Sequence, residues 1–143
     1  MSTLTKVLER NISQIEKNAN MKEGRFRLGH HLMPPVGWLN DPNGLCWYKG
    51  RYHVFFQYAP FDVEGGLKFW GHYTSEDLLD WKYEGTALYP DSSYDCHGVY
   101  SGSSLIDQDK MHLFFTGNVK IDGDYDYINE GRETSTLHVE SED

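Results

Sequence analysis

The stretch Gly37-Trp-Leu-Asn-Asp-Pro-Asn-Gly-Leu-Cys-Trp-Tyr-Lys-Gly-Arg-Tyr-His-Val-Phe-Phe-Gln-Tyr58 recurs, with one gap, as Gly98-Val-Tyr-Ser-Gly-Ser-Ser-Leu-Ile-Asp-Gln-Asp-Lys-Met-His-Leu-Phe-Phe-Thr-Gly-Asn118. The spacing is about 60 residues, long enough for one supersecondary unit. His53-Val-Phe-Phe56 meets His112-Leu-Phe-Phe115, and Gly71-His-Tyr-Thr-Ser-Glu-Asp77 meets Leu137-His-Val-Glu-Ser-Glu-Asp143. Each copy therefore runs strand, turn, strand, loop, strand. A recurring unit of three or four strands stacks copy upon copy, which is how the blades of a β-propeller are built. The first copy continues through Leu78-Leu-Asp-Trp-Lys-Tyr-Glu-Gly-Thr-Ala-Leu-Tyr89, which supplies an outer strand, whereas the second stops at Asp143. The fold expected is all-β, about one and a half blades. Blades bury their faces against neighbours, so such a piece leaves edges and apolar faces bare. The chain reads as the front of a longer protein, with self-association through exposed strand edges as one expected partner mode.

Residues 4–20 are the exception to the β pattern. Leu4, Val7, Leu8, Ile12 and Ile15 recur at spacings of three and four, with Ser2 and Thr3 as caps, which predicts an amphipathic helix. The division expected is 1–24 for this helix and its lead-in and 25–143 for the partial propeller domain. From Phe26 onward short aromatic and β-branched runs alternate with turn strings, Pro42-Asn-Gly44, Lys49-Gly50 and Gly65-Gly66 among them. Aromatic residues make up 15% of the chain. Flat rings suit strands, and they suit a platform on which sugar C–H faces pack.

Charge narrows the partners. The net charge is −9, and residues 122–143 hold eight acidic residues against Arg132 alone, so nucleic acid and anionic membranes are excluded as partners. No apolar run approaches the ~18 residues of a membrane span, and no basic-then-apolar leader opens the chain. A cytoplasmic location follows as the expectation, with Cys46 and Cys96 as two reduced thiols rather than a disulfide.

Asn40-Asp-Pro-Asn-Gly44 reads first as a turn, because Pro fixes φ and Asn-Gly accepts positive φ. A turn alone does not explain Trp38 just before the acid, nor Asp41 at the head of a blade's inner strand, where propellers ring their central channel. A carboxylate there is a candidate nucleophile or cation ligand. Metal is not expected. Asp122 to Glu133 has acids at calcium-loop positions, but Tyr127 occupies the sixth, where the sharp turn needs glycine. His30, His31 and His72 lack the spacing of a closed zinc site.

Trp38-Leu-Asn-Asp-Pro-Asn-Gly44, Phe55-Phe-Gln-Tyr58, Trp70-Gly-His72, Tyr100-Ser-Gly-Ser103 and Phe115-Thr-Gly-Asn118 occur together and in this order. Five separated motifs at blade spacing resemble glycoside hydrolase family 32, which contains invertases, sucrose-6-phosphate hydrolases and fructanases. The resemblance implies a five-bladed β-propeller followed by a β-sandwich, and retaining hydrolysis of β-fructofuranosyl bonds with no cofactor. It makes Asp41 the nucleophile. It also makes Trp38, Leu39, Asn40, Gln57, Trp70, Tyr100 and Ser101 substrate-binding residues. Tyr100-Ser101 stands where the family usually has Phe-Ser, and Gly65 stands where many members carry a further Trp.

Retaining glycosidases need two carboxyl groups about 5–5.5 Å apart, one to attack the anomeric carbon and one to protonate the leaving oxygen. The family's Glu-Cys and Arg-Asp-Pro motifs, which supply the acid and a stabilising Asp, are both absent. Glu64, Asp77 and Asp95 are weak substitutes, Asp77 lying in a Ser-Glu-Asp turn and the others in loops. The chain alone is therefore expected to be inactive, with sucrose or sucrose 6-phosphate as the small-molecule substrate of the enzyme it resembles. A non-catalytic β-fructoside-binding module or an inactive truncated fragment is the alternative. No basic residues that would hold a phosphate stand out in the sequence.

Overall fold

The computed structural model describes residues 2–19 and 26–141. Helix α1 spans Thr3–Asn18 and is capped by Ser2, whose hydroxyl accepts the Thr5 N–H at 3.0 Å. The last predicted helical residue, Asn20, and the tail acids Glu142 and Asp143 lie outside the described residues. The buried face of α1 is not the predicted stripe. Thr5 and Ile12 are buried and Leu8 is partly buried, while Leu4, Val7 and Ile15 remain exposed. Polar anchors explain the rotation: Thr5 donates to Asp91, and the Glu16 carboxylate accepts the Tyr58 and Tyr83 hydroxyls at 2.9 and 2.8 Å. Burial, reinforced by the Glu16 charge, pushes both phenols far above their usual range.

Seven strands follow: β1 Trp38–Tyr48, β2 Arg51–Ala59, β3 Phe69–Ser75, β4 Lys82–Leu88, β5 Val99–Asp107, β6 Lys110–Lys120 and β7 Arg132–Ser141. They form two antiparallel meanders, β1-β2-β3-β4 and β5-β6-β7. The first hairpin of each sheet turns on two residues of positive φ, Lys49-Gly50 (45° and 79°) and Gln108-Asp109 (48° and 62°). That geometry matches the right-handed twist of the strands. Among the described residues β4 has no counterpart in the second sheet, and one edge of β7 is unpaired.

The first sheet is buried on both faces. Phe55 and Trp70, with Tyr48 of β1, point at the second sheet, where Val99, Met111, Leu113 and Phe115 complete a core. Phe56, Tyr58, Phe69 and Tyr73 point the other way, against Ile12 and Leu8 of α1 and against Leu32, Val36 and Leu39. Each fully buried ring of this size contributes about 1.5–3 kcal/mol. Gly71 makes the second face possible, because a Cβ there would collide with the Phe56 ring.

The repeat also carries a stacked pair of imidazoles. His53 and His72 meet through Nδ1 and Nε2 at 3.0 Å, and His72 stacks on Phe55. His112 and His138 meet at 2.9 Å, and His138 stacks on Phe114. In the first sheet the stack faces the second; in the second sheet it lies on the face turned away from the first.

One expectation is overturned. Pro42-Asn-Gly44 does not separate two strands but lies inside β1, whose pairing with β2 continues through register shifts at Asn40/Pro42 and Asn43/Cys46. The turn chemistry is used instead for bulges: Asp41 and Gly44 take positive φ, and Pro42, with no N–H to donate, sits where the ladder is irregular.

A cavity of about 940 Å³ opens between β4 and β7, lined by His72, Leu88, Met111, Leu137 and Glu140. It lies where the first sheet has a fourth strand and the second does not, and neither Asp41 nor Ser101 lines it.

Candidate active site

The site is built where the two inner strands β1 and β5 face each other. In the ladder, Asn40 pairs with Gln57 and Pro42 with Phe56, which leaves Asp41 as the bulged residue of β1. In the second sheet Tyr100 pairs with Thr116 and Gly102 with Phe115, which leaves Ser101 as the bulged residue of β5. The two bulges are equivalent positions of the repeat, and their side chains meet. Ser101 Oγ donates to Asp41 Oδ2 at 3.0 Å, and Asn40 Nδ2 donates to Asp41 Oδ1 at 3.1 Å. Asn43 Nδ2 donates to the Asp41 backbone carbonyl at 2.7 Å, which steadies a residue held at φ 39°. Both carboxylate oxygens are thus oriented while the side chain stays exposed.

Behind the carboxylate runs a row across three strands, with Asn40 opposite Gln57 and Gln57 opposite Trp70. The Oδ1 of Asn40 and that of Asn43 are buried without a hydrogen-bond partner. A buried acceptor left open is costly, so both mark a polar, incompletely satisfied spot beside Asp41. Gln57 is buried at the floor of this row.

Two nominated residues are placed differently from the expectation. Trp70 is fully buried, its indole N–H donating to the Tyr100 carbonyl at 3.1 Å, so it ties the two sheets together beneath the site instead of offering a ring to a ligand. Leu39 belongs to the core on the α1 side and points away from Asp41, because alternation along β1 puts it opposite Tyr58 on that face. Trp38 and Tyr100 remain part-exposed at the rim, each under a cation: Lys68 Nζ lies 4.4 Å from the Trp38 ring centre and Arg132 Cζ 5.5 Å from that of Tyr100.

Of the three acids considered as a second carboxyl, Asp77 and Asp95 are engaged by local hydrogen bonds. Asp77 accepts the Leu79 and Asp80 N–H groups at 2.8 Å each, and these bonds hold its pKa below the usual range. Asp95 is buried and accepts the N–H and hydroxyl of Ser92. Glu64 sits in the exposed 62–66 loop, its N–H bonded to Asp62. In the 122–133 loop Asp126 accepts the Ile128 and Asn129 N–H groups, which hold its carboxyl down at about 2. Among the described residues no three His, Cys, Asp or Glu side chains gather into a group that could hold a metal ion. Cys46 and Cys96 are free thiols.

Asn43, Lys68 and Arg132 were not singled out by the sequence reading. The available signals were slight: Asn43 lies inside the motif, and Arg132 is the lone base of the acidic segment.

Residues 31–139 match the Glycosyl hydrolases family 32 N-terminal domain. The chain belongs to glycoside hydrolase family 32. The family 32 chain is 56% identical to the sucrose-6-phosphate hydrolase of Bacillus subtilis over 90 residues, covering 63% of this chain and 19% of that protein. It is 44% identical to the raffinose invertase of Escherichia coli over 128 residues, covering 88% of this chain and 27% of that one. Among solved structures it superposes on the Bombyx mori GH32 β-fructofuranosidase with a TM-score of 0.83 at 33% identity, covering 96% of this chain and 28% of that one. It superposes on the sucrose-6-phosphate hydrolase of Lactobacillus gasseri at 0.76 and 34%, covering 92% of this chain and 25% of that one. The chain thus spans about a fifth to a quarter of the length of these relatives. Its two sheets are blades of a partial five-bladed β-propeller of this family.

Proposed function

We propose that this chain supplies the nucleophile-bearing half of a retaining β-fructofuranosidase acting on sucrose or sucrose 6-phosphate. The observation that carries the reading is the Asp41 carboxylate, exposed and oriented through both oxygens by Asn40 and Ser101 at the junction of the two blades. Asp41 attacks the anomeric carbon of the fructosyl unit while a second carboxylic acid protonates the leaving oxygen. Water then hydrolyses the covalent fructosyl intermediate, with that acid now acting as base. Asn40 and Ser101 keep the nucleophile aimed through the first step. This chain carries the nucleophile and not the acid, since Asp77 and Asp95 are engaged in local turns and Glu64 lies in the exposed 62–66 loop. Similarity to sucrose-6-phosphate hydrolases favours the phosphorylated substrate, and a phosphorylated disaccharide is met in the cytoplasm. The similarity to a Bombyx mori enzyme solved in complex with sucrose supports sucrose itself.

Fructose release and sucrose affinity, measured on the native protein and on Asp41→Asn, test the reading. The expected result is saturable sucrose binding in both and fructose release from neither, since this chain carries the nucleophile and not the acid; release by the native chain that Asp41→Asn lowers by about 10⁴-fold would place the acid within it. Absence of sucrose binding by the native chain would remove the fructosidase reading. Turnover that survives Asp41→Asn would remove Asp41 as nucleophile.

A further inference from the structure

We propose that Trp70 is a positioning residue for the Asp41 carboxylate: its indole N–H, bonded to the Tyr100 carbonyl, sets the direction from which Ser101 donates to Asp41. Trp70 acts through the backbone of β5 and does not itself meet the carboxylate. The role rests on the fructosidase reading only for the use to which the carboxylate is put.

The bond falls where the β5 ladder is interrupted. Tyr100 pairs with Thr116 and Gly102 with Phe115, so Ser101 is an extra residue with no partner across the ladder. The regular bonds of the sheet do not hold the extra residue of a bulge, and its direction has to be set by something else. The Tyr100 carbonyl and the Ser101 N–H belong to one planar peptide unit. A donor that fixes the carbonyl therefore fixes the plane from which the Ser101 side chain departs. The indole N–H is that donor at 3.1 Å, and Ser101 Oγ then reaches Asp41 Oδ2 at 3.0 Å.

The same ring lies beneath the other bulged strand. A Cβ on Gly44 would stand 3.2 Å from Trp70 Cζ3, so the indole supports β1 at the register shift that follows Asp41. In the ladders Trp70 is opposite Gln57, which is opposite Asn40, the other donor to the carboxylate. Packing fixes the indole in its seat. It is fully buried, tilted on Phe55 at 5.7 Å and edge-to-face with Phe115 at 6.0 Å between ring centres. Phe115 is itself the partner of Gly102, on the far flank of the Ser101 bulge. A group locked in this way behind a reactive side chain can hold it to the narrow tolerance that chemistry requires. Tyr48 and Ser104 also bond across the sheets, to the Asp109 and Leu45 carbonyls, but neither acceptor adjoins Ser101 or Asp41. A ring of the same shape without the N–H would fill the same space and leave the Tyr100 carbonyl without this donor.

Carbon-13 NMR of the Asp41 carboxyl group in the native chain, assigned by its loss in Asp41→Asn, tests the proposal. Ser101→Ala removes the hydroxyl donor and provides the reference shift of that resonance. Replacing Trp70 by benzothienylalanine keeps the bicyclic shape and puts sulfur in place of the N–H. It is expected to shift the resonance in the same direction as Ser101→Ala, and Trp70→Phe is expected to do likewise. Ser101→Ala added to either should shift it little further, because both changes break one series of contacts. Fluorotryptophan at position 70, which keeps the N–H, should leave the resonance in place. So should Trp81→Phe, which removes an indole bonded to the Leu78 carbonyl. A resonance unmoved by Ser101→Ala or by the folded sulfur isostere overturns the proposal, as do two shifts that simply add. Loss of the fold in both forms lacking the N–H, with the fluorotryptophan form folded, also overturns it, since Trp70 would then be a structural anchor alone. Sucrose titration of the same samples keeps the two readings apart: absence of binding by the native chain overturns the fructosidase reading, while the resonance still decides what Trp70 does to Asp41.

Discussion

Asp41 is a residue with a side chain held at φ 39°, a left-handed conformation that costs a non-glycine residue about 1–2 kcal/mol. Replacing it by glycine removes that cost along with two exposed hydrogen bonds. Asp41→Gly is expected to raise the urea midpoint, by the equivalent of about 1 kcal/mol. A lowered midpoint would show that the Asn40 and Ser101 bonds outweigh the backbone cost. His72 gives a residue-scale prediction about pH. Burial first, then the neighbouring His53 ring, pushes its pKa from 6.5 down to about 4, against a smaller upward pull from Glu84. The unfolded chain therefore takes up the proton before the folded one does. Stability is full above about pH 6.5, falls by up to about 3 kcal/mol as pH drops towards 4, and levels off below. Urea midpoints measured across this range should show the slope in the native chain and a flattened one in His72→Phe. Asp41 itself was legible in the sequence because its motif is contiguous. The place of Lys68 was not, since only the bond from Val99 of β5 to the Lys68 carbonyl, just before β3, brings it beside Tyr100.

At the scale of the element, α1 and β1 show where local patterns mislead. Period-3.6 reading found the helix, but it chose the face by hydrophobicity alone, whereas the polar bonds of Thr5 and Glu16 turn it towards Ile12. Ile12→Ala is expected to cost about 2–4 kcal/mol by opening a cavity among Phe56, Tyr58 and Phe69, while Val7→Ala stays within about 0.5 kcal/mol. Thermal or denaturant midpoints of the two variants separate the real face from the predicted one. In β1 positive φ was expected at Asn43-Gly44 and is found at Gly44 and at Asp41, and the setting of the string was misread. Pairing with β2 on either side of the string absorbs the irregularity as bulges, a decision made by the partner strand and invisible in the string itself.

At the scale of the whole molecule, the repeat at about 60 residues foretold two stacked sheets because each copy carries the same inward ring positions. It could not foretell that the bulged residues of the two copies would meet as Asp41 and Ser101, since the one-residue gap between copies hides their equivalence until the ladders are in register. The outward face of the second sheet, with Phe114 and the His112–His138 stack, and the unpaired edge of β7 leave apolar surface and backbone groups open among the described residues. Sedimentation of the isolated chain is expected to show mass rising with concentration, and a Pro placed at Val139 should reduce it. A constant monomer mass would show these surfaces to be inert. Beneath the site, the indole of Trp70 is sealed from water and bonded to the backbone of the other sheet. The other three tryptophans, Trp38, Trp47 and Trp81, already touch solvent. The emission of that one ring is therefore a built-in optical gauge: a red shift lost from Trp70→Phe would report the moment the two blades part, even while each sheet stays intact.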